Sequence, residues 1–173
     1  GHGPAAADRL SREGAILASL NHPNIARLIE VGATAEGSPF LVLEFVDGLP
    51  LPAFCDARSL NVEARLALFV QVLDAVAYAH AMLVLHRDLK PANVLVTQNG
   101  EIKLLDFGIA KLIDDSGNAA STQLTRLAGR AFTPDFASPE QIAGETLTVA
   151  SDIYSLGVML FHLLTGERPY KLK

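Results

Sequence analysis

Apolar positions recur along the chain in two rhythms. Between residues 5 and 20, Leu10, Ile16, Leu17 and Leu20 fall on one face at helical spacing, which predicts a helix ended by Asn21-His22-Pro23-Asn24. Residues 25–33 and 39–46 read as two strands joined by a turn at Glu36-Gly37-Ser38-Pro39. The second strand is apolar nearly throughout, the pattern of a strand covered on both faces. A long helix follows, with Asn61 as N-cap and Glu63 in the first turn. Leu66, Phe69, Val70, Leu73, Val76, Ala77 and His80 keep helical spacing along it, and His80 reads as a core histidine with a hydrogen-bond partner. Val94-Leu95-Val96-Thr97 and Ile102-Lys103-Leu104-Leu105 then flank Asn99-Gly100, the strongest short signal for a hairpin. Residues 111–136 are polar and predict a long loop, a feature that is usually functional or disordered. The last element, about Val149 to Thr165, is a strongly apolar helix stopped by Gly166, with Pro169 beyond.

The hairpin carries a geometric expectation. A two-residue turn at Asn99-Gly100, with both residues at positive φ, sets Asn93 opposite Asp106. Facing residues of an antiparallel pair lie about 5 Å apart. An amide and a carboxylate side by side at the open end of a rigid hairpin suit Mg2+, which takes few protein oxygens and completes its shell with phosphates and water.

Composition narrows the setting. The chain has 173 residues, half of them hydrophobic and 19% charged, which is enough to fill the core of one domain. A net charge of −5 leaves no basic footprint for nucleic acid. The single cysteine, Cys55, forms no internal disulfide and reads as a small, semi-buried residue of a protein in a reducing compartment. No apolar run reaches the roughly 18 residues of a membrane helix; the longest, Ile153 to Leu164, is interrupted by Ser155, Gly157 and His162. The start, Gly1-His2-Gly3-Pro4, has no signal-peptide pattern and reads as a cut end. Mean hydropathy is positive, a hint of apolar surface that lies against further chain.

The densest chemistry lies between residues 86 and 108. His86-Arg87-Asp88-Leu89-Lys90-Pro91-Ala92-Asn93 is followed by Asp106-Phe107-Gly108. From about residue 8 to its end, the chain resembles the eukaryotic-type protein kinases, and its wording there resembles their bacterial Ser/Thr members. The resemblance implies an α+β fold. A partial small lobe would cover residues 1–45, with one helix and two strands. A partial, mostly helical large lobe would cover 46–173.

It also implies roles for individual residues. Asp88 resembles the catalytic base, and Lys90 the lysine that steadies the transferring phosphate and marks Ser/Thr specificity. Asn93 and Asp106 resemble the metal ligands. Glu13 resembles the helix glutamate that pairs with the phosphate-binding lysine. Glu44-Phe45-Val46 resembles the adenine-binding hinge, with Leu43 guarding the back pocket and Leu95 among the nucleotide-binding residues. Thr133 resembles the threonine that contacts the base and the lysine. Ser138-Pro139-Glu140 resembles the close of the activation segment, and Asp152 the helix aspartate that anchors the catalytic loop. Arg87 is a candidate receptor for a loop phosphate. Ser121, Thr122 and Thr125 are candidate phosphosites, although any exposed loop of this composition holds such residues. His22 reads as a turn residue and His162 as a helix residue without chemistry.

The implied activity is transfer of the ATP γ-phosphate to protein Ser/Thr hydroxyls, with ATP and Mg2+ bound, in the cytoplasm. Departures from the pattern temper this. No Gly-rich loop and no lysine precede Glu13, and no late arginine is available to Glu140. The chain is therefore expected to be weak or inactive as a catalyst. It is also expected to expose one side of the Val149–Thr165 helix and to self-associate there. The competing reading is a kinase-like binding module without catalysis, opposed by the intact Asp88, Asn93 and Asp106. A small-molecule phosphotransferase is opposed by Arg87, Lys90, Thr133 and Ser138-Pro139-Glu140.

Overall fold

The computed structural model describes residues 14–33, 39–107 and 134–170. Of the first predicted helix, residues 14–20 are among the described ones; 14–18 are helical, and Leu17 and Leu20 turn into the core. The turn at 36–38 and most of the long loop lie outside the described residues. The chain emerging from the helix is fixed by Asn24, whose side-chain nitrogen donates to Ile102 O at 3.0 Å and to Gln71 Oε1 at 3.2 Å. His22 is the turn residue expected, its Nδ1 accepting the Asn24 N–H at 3.1 Å.

Strands β1 (Leu28–Ala33) and β2 (Pro39–Leu43) pair antiparallel, with Val31 opposite Leu41 and Gly32 opposite Phe40. A Cβ on Gly32 would collide with the Phe40 ring, so glycine is what lets the ring cross the ribbon. Leu41 and Leu43 pack on the core, whereas Phe40 and Val42 are each 37% exposed. The expectation of a strand covered on both faces is thereby corrected. Among the described residues only β1 pairs with β2.

Two elements follow that the pattern did not predict. Strand β3 (Gly48–Pro50) pairs antiparallel with β4 (Val94–Thr97), which pairs with β5 (Ile102–Leu104). Helix α1 (Leu51–Ala57) buries Leu51, Phe54 and Cys55 on one side. Seven residues give too few turns for a periodicity to stand out. Cys55 is fully buried rather than semi-buried.

Helix α2 (Val62–Ala81) begins as expected, with Asn61 Oδ1 accepting the Ala64 N–H at 3.0 Å. Its buried side is Leu68, Phe69, Val72, Ala75, Val76 and Ala79, so Leu66, Val70 and Leu73 of the expected stripe face outward. The helix is apolar on more than one side, and periodicity alone did not choose between stripes. Contact with β5 and with α4 (Val149–Thr165) did.

Between them, the short helix α3 (Pro139–Ala143) is capped by Ser138. Helix α4 opens with a reciprocal cap between Thr148 and Ser151 and ends at Gly166, with φ of 73°. It buries Leu156, Val158, Met159 and Leu163 and, unusually, Ser151, Asp152 and Ser155. Val149, Ile153, Phe161 and Leu164 are 39–58% exposed, so the bare side expected of this helix is present. Beyond it, Tyr170 bonds to the Tyr154 hydroxyl and Arg168 pairs with Asp135, folding the chain back onto α4.

Helix α2 ends in a Schellman turn. The Val84 N–H donates to Ala79 O and the Leu83 N–H to His80 O, both at 2.9 Å. Leu83 takes the left-handed position at φ of 60°, which glycine fills without a Cβ clash, and it is 93% exposed. Leu83→Gly is expected to raise stability by roughly 0.5–1 kcal/mol, seen as a higher urea midpoint at unchanged slope. A lower midpoint would show that the leucine side chain contributes packing.

Candidate active site

The site is built on the β4–β5 hairpin. Val94 faces Leu104, Leu95 faces Lys103 and Val96 faces Ile102. This register corrects the two-residue turn. The connection is three residues, 98–100, closed by Thr97 N–H to Glu101 O at 3.0 Å. Gly100 alone takes positive φ, at 80°, as in a type I turn followed by a left-handed glycine. Asn93 therefore lies opposite Leu105, whose N–H donates to Asn93 O at 2.9 Å, and Asp106 stands one residue further on. Both side chains are buried, Asn93 at 2% exposure and Asp106 at 7%.

Residues 86–90 cross in front of this hairpin and are held from three sides. From α4, the buried Asp152 carboxylate accepts the His86 N–H at 2.8 Å and the Arg87 N–H at 3.0 Å. From α2, His80 Nε2 meets the same carboxylate at 2.7 Å, supplying the partner expected for that histidine. From the loop itself, His86 Nδ1 accepts the Asp88 N–H at 3.1 Å. That leaves His86 Nε2 as the protonated nitrogen, donating to Leu105 O at 2.8 Å. The His86 ring also meets Phe107 edge-on at 4.6 Å. One imidazole thus couples the loop carrying Asp88 to the strand end carrying Asp106.

Asp88 is half-buried, and its surroundings orient it. Asn93 Nδ2 donates to Asp88 O at 2.7 Å and to Asp88 Oδ2 at 3.2 Å. Lys90 Nζ lies 3.4 Å from the same Oδ2, with Lys90 9% exposed. Two backbones here are in the left-handed region, Arg87 at φ of 71° and Asp106 at 63°. Such conformations persist in non-glycine residues only where the surroundings over-determine them, and they cluster at functional sites.

The expected hinge leaves β2 at Leu43, which packs half-buried on the core. The Glu44 N–H donates to Arg27 O at 2.8 Å and its Oε2 accepts the Arg27 N–H at 3.1 Å. Glu44 Oε1 pairs with Lys103 Nζ at 3.1 Å. Burial pushes the Glu44 carboxyl up, but the Arg27 N–H and Lys103 outweigh it and hold the group below the ordinary carboxylate range. Lys103 is the cross-strand partner of Leu95, so this bridge ties the hinge to the strand carrying Leu95. Leu95 and Val46 are half-buried, and Phe45 is 89% exposed. Glu13 and Thr133 lie outside the described residues, as do Gly108, Ser121, Thr122 and Thr125.

The far wall is Ser138-Pro139-Glu140. Ser138 is fully buried, and its Oγ accepts the Gln141 N–H at 3.3 Å. Glu140 Oε1 accepts the Ser151 hydroxyl at 2.5 Å. Gln141 was not foreseen: its Nε2 donates to Arg87 O at 2.6 Å. A bond between residues 54 apart leaves no mark in local sequence pattern.

A sequence model described as the protein kinase domain matches residues 3–173. The chain belongs to the protein kinase family. It is 39% identical over 163 residues to the probable serine/threonine-protein kinase PknB of Lactococcus lactis, covering 94% of this chain and 25% of that protein. It is 37% identical over 166 residues to serine/threonine-protein kinase PknB of Mycolicibacterium smegmatis, covering 94% of this chain and 26% of that one. The chain thus spans about a quarter of the length of these relatives. Its fold resembles the crystal structure of the Mycobacterium tuberculosis PknI kinase domain, solved as a cysteine-to-alanine mutant. That likeness has a TM-score of 0.68 at 29% identity and covers 98% of this chain and 60% of that one. The protein kinase family and the α+β kinase architecture read from residues 86–108 are therefore borne out, and the relatives that the chain resembles are bacterial serine/threonine-protein kinases.

The donors present fit Mg2+. Asn93 spends its amide nitrogen on Asp88, which leaves its amide oxygen, and Asp106 adds a carboxylate, so the set is hard oxygen.

Two outcomes follow for this scaffold. Asp152→Ala removes the acceptor of two backbone N–H groups and the His80 partner. It is expected to lower stability by roughly 2–4 kcal/mol in urea unfolding, since stranded buried donors cost about 1–3 kcal/mol each. A loss below about 1 kcal/mol would mean that water replaces the carboxylate. Glu140 is held below its ordinary 4.5, chiefly by the Ser151 hydroxyl. A depressed carboxylate stabilises above its unfolded pKa, and that contribution disappears as pH falls through the folded value. Glu140→Gln should therefore flatten the fall in melting temperature below about pH 4.5. An unchanged acid slope would show that Ser151 does not favour the ionised form.

Proposed function

We propose that this site transfers the γ-phosphate of ATP to a protein serine or threonine hydroxyl. The observation that carries the reading is the Asp88 carboxylate, set between Asn93 Nδ2 at 3.2 Å and Lys90 Nζ at 3.4 Å, at the mouth of the hairpin that presents Asp106. The substrate oxygen bonds to the γ-phosphorus, the bond from that phosphorus to the ADP oxygen breaks, and the hydroxyl proton passes to Asp88. Lys90 places a fixed positive charge beside that path, and little else is required of the protein than position and charge.

Asn93 Oδ1 and the Asp106 carboxylate would hold Mg2+, which when bound neutralises phosphate charge. Leu43, Glu44, Val46 and Leu95 would border the adenine. Thr133 would contact Asp88 and Lys90, and Glu13 would meet a phosphate-binding lysine. Because ATP is cytoplasmic, so is the proposed place of action. The exposed side of α4 supports self-association.

The test is transfer from labelled ATP with Mg2+ to a basic protein and to the chain, beside Asp88→Asn. The expected result is transfer that disappears in the variant. Equal transfer by Asp88→Asn would remove Asp88 from the base role, and failure to bind ATP with Mg2+ would favour the binding-module reading.

A further inference from the structure

The strained residue of the loop, Arg87, is gripped on both of its peptide groups from outside the loop. On one side its N–H donates to Asp152 Oδ1 at 3.0 Å. On the other its carbonyl oxygen accepts from Gln141 Nε2 at 2.6 Å. A carbonyl oxygen only accepts, so the donor is unambiguous. The Arg87 carbonyl and the Asp88 N–H share one peptide plane. A donor that fixes Arg87 O therefore fixes the plane from which the Asp88 side chain departs.

Gln141 is itself firmly placed. It sits on α3 one residue after Glu140, which accepts the Ser151 hydroxyl at 2.5 Å. Its own N–H donates to the buried Ser138 Oγ at 3.3 Å. Three residues before α3, the Phe136 carbonyl accepts the Ser155 hydroxyl at 2.7 Å. The segment 134–143 is thus pinned to α4 at Phe136 and at Glu140, the residue immediately before the one that reaches back to the loop.

We propose that Gln141 is a positioning residue for Asp88. Its side-chain amide holds the Arg87–Asp88 peptide plane and so couples the seating of residues 134–143 to the direction of the Asp88 carboxylate. Its kinetic consequence rests on the kinase reading; its geometric consequence does not.

The test compares the full chain with Gln141→Met, which keeps length without a donor, and Gln141→Lys, which keeps a donor. Ile142→Ser, at an exposed neighbouring position, is the control. Amide hydrogen exchange at Arg87 and Asp88 should quicken by about tenfold or more in Gln141→Met, with Val96 and Ile102 unchanged. Gln141→Lys and Ile142→Ser should stay near the parent chain. In the ATP assay, Gln141→Met should lower kcat by about 10–10²-fold at unchanged KM for ATP, and Gln141→Lys should recover most of it. Arg87 and Asp88 exchange equal to the parent in Gln141→Met overturns the proposal. So does exchange raised equally at Val96 and Ile102, which marks general loosening. Selective loosening at Arg87 and Asp88 in a chain that transfers no phosphate supports the positioning role and counts against the kinase reading alone.

Discussion

The Asp152 carboxylate, 2% exposed in the first turns of α4, is the contact on which the site depends. It accepts from two consecutive backbone N–H groups, of His86 and Arg87, and meets the His80 ring. A buried charge is tolerated when it is surrounded by donors, and bonds to an ionised acceptor are about twice as strong as neutral ones. Its place near the positive end of the helix dipole adds to this. Because α4 also buries Leu156, Met159 and Leu163 in the core, the Asp152 side chain ties the loop to the rigidity of the core. Ser151 and Ser155, on the same helix, hold Glu140 and Phe136 by donating their hydroxyls to the Glu140 carboxylate and the Phe136 carbonyl. The N-terminal half of α4 is therefore a polar bracket for two loops, and its C-terminal half is an anchor.

That bracket accounts for the backbone at Arg87 and Asp106. Each left-handed non-glycine residue costs on the order of 1–3 kcal/mol. The hydrogen bonds around the loop offset this: Asp152 and Gln141 at Arg87, and the His86 link to Leu105 beside Asp106. The result is a carboxylate, an ammonium and an amide held together by the protein's own contacts, an arrangement in which electrostatic stabilisation needs little reorganisation.

Legibility in the sequence follows the range of the interaction. Local signals were readable: the Asn61 cap, the Gly166 stop, the hairpin at Asn99-Gly100 and the motif residues from His86 to Asp106. Readings that needed a choice between equal patterns were less secure. The buried stripe of α2 was misjudged because Leu66, Val70 and Leu73 are as apolar as the residues that β5 and α4 cover. The hairpin register slipped by one because Asn-Gly fits both a two-residue turn and the left-handed end of a three-residue one. The short β3 and α1 had no period to read. Gln141 was invisible because its partner is a backbone carbonyl brought near by the fold alone.

The central claim is that the loop is preorganised by the protein, without nucleotide. It is tested most directly by the backbone conformation of Arg87 and Asp106 in the free chain in solution. Left-handed residues bring the amide and α protons of one residue unusually close, so their intraresidue proton–proton cross-relaxation is strong. The account predicts strong cross-relaxation at both residues with no ATP or Mg2+ present, unchanged when they are added. Weak or averaged values that become strong only with ATP and Mg2+ would show that the ligand, and not Asp152 and its neighbours, sets the conformation of the site.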